Sequence, residues 1–284
     1  MEDCKYLVKI ETMQPSAFKS LFNILKENNI LEANLTISET GIEILEMDSN
    51  HIVIAHVLLN MVSNFDSFYC KEPVLIGVDV TNLTKILKGI GSKEMLTLFA
   101  EDPTKQVESS DGDASVKFGL LIENANKGQS SKIFVDTIDV NKATLEVPYL
   151  DYPYQIQMPS SDLQSIVGNL KNMSGETVKI TLHKEVLKFY TKGDNGTLET
   201  VRCRTNKEDN SIKITSVGSD GGSTIIELYV KLNNLIEFTK CTSLANMVTM
   251  YLQNDAPVFL EYDVGNLGFI RLGASTLKNK PENW

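Results

Sequence analysis

Seven lysines in this chain, Lys19, Lys26, Lys85, Lys88, Lys171, Lys231 and Lys240, have a placement that could do chemistry. All fall in four short stretches, residues 16–27, 81–91, 161–171 and 231–241, whose only acids are Glu27, Asp162 and Glu237. The stretches hold a net +4; the rest of the chain holds twenty bases and thirty-four acids, within an overall charge of -10. Ammonium groups without carboxylate neighbours suit a line of phosphates, where binding comes from counterion release and needs no base-specific contact. Exposed helix faces ordinarily mix Lys with Glu, because i,i+4 pairs add a few tenths of a kcal/mol. Four stretches that omit the partner acids point to a polyanion instead. None carries Arg and Asn at the spacing of a groove-reading helix, so the expected contact is indifferent to base sequence.

Other chemistries find no support. The sequence contains no Gly-x-x-x-x-Gly-Lys, no Gly-x-Ser-x-Gly and no His-Glu-x-x-His, so neither a nucleotide-cleaving nor a hydrolytic site is expected. Cys4, Cys70, Cys203 and Cys241 form no CxxC pair, and with only His51, His56 and His183 available they assemble no zinc quartet. Glu46 and Asp48 lie near His51, but Asp48-Ser49-Asn50 reads as a turn. No enzyme, metal or cofactor is expected. Scattered cysteines, an N-terminus without a signal pattern and no run of membrane-spanning length predict an intracellular, reduced protein without a membrane. The Asn-x-Ser/Thr triplets at Asn34, Asn82, Asn172 and Asn195 are then chance matches.

The elements that must position the lysines can be read from periodicity. Apolar residues recur at i, i+3, i+4 and i+7 in Phe18, Leu21, Phe22, Leu25, in Leu83, Ile86, Leu87, Ile90 and in Leu163, Ile166, Val167, Leu170. The fourth stretch follows with Leu232, Leu235, Ile236 and Thr239. Each predicts a short helix with one buried stripe. On the helical wheel Lys85 and Lys88 point away from that stripe, and Lys26, Lys171 and Lys240 share the i+8 position. Around the helices run short strands, among them 35–38, 42–45, 51–59, 95–100, 115–122, 133–140, 178–182, 186–190, 198–204 and 247–252, punctuated by turn residues such as Asp194-Asn195-Gly196. The first and third stripes start 145 residues apart and the second and fourth 149 apart, which predicts an internal duplication. The expected organisation is an N-terminal domain over 1–140, an extended connector over 141–157, a C-terminal domain over 158–275 and a polar tail over 276–284.

Several segments resemble the eukaryotic and viral proliferating cell nuclear antigens: 45–51 (LEMDSNH), 65–70 (FDSFYC), 78–88 (VDVTNLTKILK), 158–160 (MPS), 238–240 (FTK) and 255–262 (DAPVFLEY). The similarity extends from about residue 5 to residue 275. It implies an α+β DNA-clamp fold of two duplicated β-rich domains, each with two short helices, assembling as a homotrimer into a closed ring. It further implies a DNA sliding clamp, a processivity factor without catalysis, that surrounds double-stranded DNA in the nucleus or at a viral replication site. DNA polymerase, clamp loader and other proteins with clamp-binding peptides would be its partners. Carried over, the residues facing DNA are Lys19, Lys26, Lys85, Lys88 and Lys240, joined by Lys171 as the main positive charge left on the third helix. The third helix departs from the family, with Ser165 and Gly168 where relatives place arginines.

The same resemblance places a peptide-docking pocket at Met47, His51, Ile52, Leu145, Val147, Pro148 and Pro257. Its C-terminal wall, 272–277 (LGASTL), lacks the bulky aromatic of relatives at Gly273, which predicts a wider or shallower pocket. Subunits of the family pair edge strands head to tail, which implicates residues 132–140, with Ile133 and Val135, and residues 198–204, with Leu198 and Val201. Lys184 stands where eukaryotic relatives carry a modifiable lysine. A subunit of a heteromeric clamp would share all these features.

Overall fold

The computed structural model describes residues 5–105, 116–139, 145, 152–203, 212–216 and 225–278. The chain divides into two compact units, one formed by residues 1–46, 56–146 and 264–269, the other by residues 47–55, 147–263 and 270–284. This division differs from a single cut at a connector, since 47–55 and 264–269 each group with the unit that does not surround them in sequence.

The first unit runs β1 (Tyr6–Thr12), α1 (Pro15–Glu27), β2 (Glu32–Ser38), β3 (Gly41–Met47), β4 (Val53–Leu59), β5 (Ser67–Cys70), β6 (Val74–Asp79), α2 (Val80–Lys88), β7 (Met95–Glu101), β8 (Lys117–Asn124), β9 (Gln129–Val135) and β10 (Thr137–Ile138). One sheet has the order β5-β1-β7-β8-β9, and the other strands follow β10-β6-β2-β3-β4. Alternation does the sorting: Ala33, Leu35 and Ile37 of β2 are buried, and the residues between them are not. Pro15 starts α1 with its φ already helical. Asp79 starts α2 by accepting the amide of Asn82 at 2.9 Å.

Both helices bury a stripe, and each fully covered Leu or Phe contributes about 2 kcal/mol. In α1 the stripe is Phe18, Leu21, Phe22, Ile24 and Leu25. In α2 it is Val80, Leu83, Thr84 and Leu87, so Thr84 takes the place expected for Ile86, which is only half-buried. The Thr84 hydroxyl lies 2.6 Å from the Val80 carbonyl and 3.2 Å from that of Phe22, which satisfies a buried polar group while joining α2 to α1.

The second unit runs β11 (Tyr154–Pro159), α3 (Ser160–Lys171), β12 (Thr177–His183), β13 (Val186–Gly193), β14 (Gly196–Cys203), β15 (Lys213–Ser216), β16 (Ile226–Lys231), α4 (Leu232–Phe238), β17 (Met247–Leu252), β18 (Val258–Val264) and β19 (Gly268–Ala274). Its strands follow the orders β15-β11-β17-β18-β19 and β14-β13-β12-β16. Set beside β5-β1-β7-β8-β9 and β4-β3-β2-β6, these match strand for strand. The duplication is therefore present in the pairing order as well as in the sequence.

Its register differs from the expectation at one point. Helices α2 and α4 begin at residues 80 and 232, so the repeat offset there is one helical turn longer than the stripes suggest. Val80 corresponds to Leu232, Leu83 to Leu235 and Lys88 to Lys240. A stripe spaced i, i+3, i+4, i+7 nearly superposes on itself after three residues, which is why the apolar pattern alone admits the slip. In α4 the buried residues are Leu232, Leu235 and Phe238, while Ile236 is half-buried.

Other expectations are corrected. Residues 133–140 are not one strand: β9 ends at Val135 and pairs with β8, whereas β10 pairs with β6. The strand placed at 51–59 starts at Val53, because Asp48 gathers the turn before it. Its carboxylate accepts the amides of Ile52 and Val53, each at 2.7 Å, and His51 takes φ 54°. Tyr154–Gln157, assigned to the connector, belong to β11. Strands β1, β5, β6 and β11 went unrecognised, the first three as short runs abutting a helix or turn and the last inside a Tyr- and Pro-rich stretch.

Two acids at the end of β7 tie distant segments of the first unit together. Glu101, 5% exposed, accepts Lys132 at 2.7 Å and Lys5 at 3.0 Å. Burial alone would raise its pKa, but the hydrogen bonds and charges of the two lysines prevail and hold it below the ordinary value. Asp102 accepts Lys71 at 2.7 Å and Thr104 Oγ1 at 2.6 Å, which bring its pKa from 3.8 down to about 2. A carboxylate with a depressed folded pKa stabilises the fold above its unfolded pKa, and the contribution is lost as pH falls through the folded one. Replacing Lys71 by Met should lower Tm at pH 7, with the gap to wild type closing between about pH 4 and pH 2. A gap unchanged at pH 2 would contradict the assignment.

Candidate nucleic-acid interface

The six lysines expected to face a polyanion do not form a uniform set. On α2, Lys85 and Lys88 are exposed and point away from the buried stripe. On α1, Lys26 is half-buried near the C-terminus, and the Lys19 ammonium donates to the Ile90 carbonyl just beyond α2. Lys171 is exposed at the end of α3. Lys240 lies past the end of α4, in the 3-10 turn Thr239–Ser243, and pairs with Glu237 at 2.5 Å. Among the described residues, Lys26, Lys85, Lys88 and Lys171 have no ion pair with a carboxylate. Lys231, also exposed, is the N-cap of α4. Lys93 is exposed in the turn after α2, a cation that the helical template could not include.

Several of these lysines sit in a last helical turn, where the helix dipole itself favours a cation by about 0.3–1 kcal/mol. Dipole compensation alone would also enrich acids in first turns. Helices α1, α2 and α4 have none there. The bias is therefore toward net positive charge rather than toward balanced helix ends. The one first-turn acid, Asp162 of α3, is engaged by Arg202 of β14 at 3.0 Å.

The duplicated units carry unequal charge. By structural correspondence Lys19 of α1 matches Gln164 of α3, and Lys85 of α2 matches Glu237 of α4. Apart from Lys171 at its end, the exposed face of α3 is neutral, with Ser161, Gln164, Ser165, Gly168 and Asn169. A Cβ at Gly168 would meet nothing within 4 Å, so this face has room for longer side chains.

The expected peptide pocket is represented by four of its seven residues in the second unit. Met47, Ile52 and Pro257 are half-buried and His51 is exposed. The segment after β19 joins their loops: the Ser275 amide donates to Ile52 O at 3.2 Å, and Thr276 Oγ1 lies 3.3 Å from Ala256 O. Leu145, half-buried, belongs to the first unit, and Val147 and Pro148 lie outside the described residues.

Sequence reasoning missed the aromatic group beside this segment. Tyr152 packs edge-on against Tyr251 and Phe259, at ring distances of 5.9 and 5.8 Å, and its hydroxyl donates to Pro257 O at 3.0 Å. Burial, with Glu261 assisting, pushes the Tyr251 phenol up to about 12. Gly273 does not open a gap as expected. A Cβ there would come within 2.7 Å of both Phe259 Cδ1 and Ile54 Cγ2, so Phe259 occupies the space an aromatic at 273 would take.

The two expected subunit edges are outermost in their sheets: β9 pairs only with β8, and β14 only with β13, among the described residues. Ile133 and Leu198 are half-buried and Val201 is 45% exposed, whereas Val135 is buried within its own unit. Lys184 is exposed in the turn between β12 and β13, with φ 55°. Among the described residues, no group of His, Cys, Asp and Glu is placed to hold a metal, and no helix is long and apolar enough to cross a membrane.

Comparison with known proteins matches this architecture. Residues 7–142 fit the family model described as the N-terminal domain of proliferating cell nuclear antigen, and residues 146–276 fit that of its C-terminal domain. The proliferating cell nuclear antigen of Chaetomium thermophilum is 29% identical over 262 residues, covering 91% of this chain and 93% of the relative. With the two domain models in order along a chain whose strand order is itself duplicated, this protein belongs to the proliferating cell nuclear antigen family of DNA sliding clamps.

Proposed function

We propose that this sliding clamp closes as a homotrimeric ring around double-stranded DNA, with α1 to α4 facing the duplex and Lys26, Lys85, Lys88 and Lys171 making its principal phosphate contacts. The observation that carries this reading is the acid-poor face of α1 and α2 in a chain of net charge -10. Lys19, held by a carbonyl, and Lys240, shared with Glu237, contribute less. The family is non-enzymatic, and this chain works by tethering rather than by catalysis, without a cofactor. It acts in the nucleus, or at a viral replication site if encoded by a virus.

Partners such as polymerase and clamp loader dock through clamp-binding peptides at Met47, His51, Ile52, Leu145, Val147, Pro148 and Pro257. An apolar anchor settling among such residues beside a connector is a common route to peptide affinity. The filling of the Gly273 position by Phe259 favours peptides with ordinary rather than enlarged anchors.

Two outcomes check this reading. The affinity for long duplex DNA should fall in Lys85→Ala and Lys88→Ala, and the slope of log affinity against log salt should flatten by about 0.9 for each phosphate left without its lysine. Ser165→Arg and Gly168→Arg on the neutral face of α3 should steepen it. Salt slopes indifferent to all four changes would remove the helices from the DNA interface. Separately, Gly273→Ala should lower Tm by about 5 °C, because overpacking costs about 1–3 kcal/mol, and should weaken a standard clamp-binding peptide measured by fluorescence anisotropy. A variant as stable as wild type would show that Phe259 does not fill the site.

A further inference from the structure

The expected subunit residues on β9, Ile133 and Val135, both point to the helix side of their sheet. The other side of the same strand has a more developed structure. Phe134 is 52% exposed, the second highest value among the exposed large apolar residues described. Its ring stands edge-on to Phe99, with centroids 5.7 Å apart and planes at 87°. Phe99 in turn meets Tyr6 at 5.6 Å, so three aromatic rings form a row across the sheet. Gly119, between Phe99 and Phe134 in the strand register, makes the row possible: a Cβ there would lie 2.9 Å from Phe99 Cε2. The Lys132 ammonium sits 4.6 Å from the Phe99 centroid and 4.8 Å from that of Phe134 while bonding Glu101. An exposed aromatic held on one side by a ring and on another by a fixed cation has little freedom left to give up on binding.

The free edge of the second unit offers the complement. On β14, Leu198, Thr200 and Arg202 stand opposite Thr191, Phe189 and Leu187, the residues that face the core. Glu199 and Val201 therefore point to the side away from the helices. Val201 is 45% exposed, and the Glu199 side chain is 49% exposed, with a long 3.5 Å contact to Lys188 among the described residues. Phe134 and Lys132 also lie on the side away from the helices. If β9 of one copy extends the sheet at β14 of another with all helices on one side, alternation brings Phe134 to the same face as Val201, and Lys132 to the same face as Glu199, in either strand direction.

We propose that Phe134 is the anchor of the contact between copies of this chain, packing against Val201 of a second copy on the face away from the helices, with Glu199 of that copy supplying charge complementary to Lys5 and Lys132. This rests on the ring reading above and adds to it a specific seam that neither Ile133 nor Val135 provides. Two ammonium groups share the single carboxylate of Glu101, so this edge retains positive charge for Glu199 to meet.

The test is the self-association of the full chain followed by analytical ultracentrifugation across a dilution series. Phe134→Arg and Val201→Glu should each raise the concentration for half-assembly roughly tenfold or more, as expected for removal of a central anchor. The double variant, which sets Arg against Glu at every junction, should recover most of the assembly. Phe134→Ala, which removes only the ring, gives a second reading should the arginine disturb folding, and Leu75→Ala, at another exposed apolar residue, should leave assembly unchanged. Assembly of Phe134→Arg and Phe134→Ala indistinguishable from wild type would overturn the anchor while leaving the ring intact. A double variant no better than the singles would overturn the direct packing of the two residues. Wild-type chain that remains a 31.6 kDa monomer throughout would overturn the ring reading itself, and the anchor with it.

Discussion

Everything that faces outward on α1 to α4 is decided by what they must bury. A short helix with a single apolar stripe has one stable orientation on its sheet, and choosing it assigns each remaining side chain to solvent or to a partner. Phe18, Leu21, Phe22 and Leu25 are at most 2% exposed, and Leu163, Val167 and Leu170 at most 1%. With those positions fixed, the lysines have little choice of direction. The charge bias of the chain is therefore a consequence of core packing as much as of surface selection. A change that rotated a stripe would move the cations with it.

The duplication shows what this constraint leaves free. The strands of the first unit recur in order in the second, apart from the additional β10, and the buried stripes recur with them. The outward positions do not. Gln164 and Glu237 stand where the first unit has Lys19 and Lys85, and apart from Lys171 the exposed face of α3 is neutral. Core residues answer to packing density on every side, so both copies of the unit keep them. Exposed residues answer only to the partner, and the two copies have diverged there.

Much of this was legible in sequence for a definite reason. A stripe at helical spacing and a glycine-containing turn are local signals, so the four helices and most strands could be placed, and the weak charge of α3 could be read by setting Ser165 and Gly168 against the arginines that the resemblance implies. What remained hidden depends on residues distant in the chain. Val80 and Leu232 could not be matched by spacing, because a stripe slipped by one turn still fits. The ion pair between Lys240 and Glu237 needs the end of α4 to be known. Phe134 reads as one more apolar residue in a strand until Phe99, Gly119 and Lys132 are placed around it. The same holds for Gly273, whose meaning depends on a ring fourteen positions earlier.

That glycine has a consequence for how the sequence can change. Gly273 and Phe259 share one volume, so they are coupled rather than additive. A larger residue at 273 is excluded while the phenylalanine remains, and a smaller residue at 259 leaves a cavity while the glycine remains. Each substitution is harmful alone and acceptable only after the other. A lineage that reaches this pair by drift is held there, since every single step away crosses a stability barrier. The contact between β18 and β19 is in that sense locked by its own history.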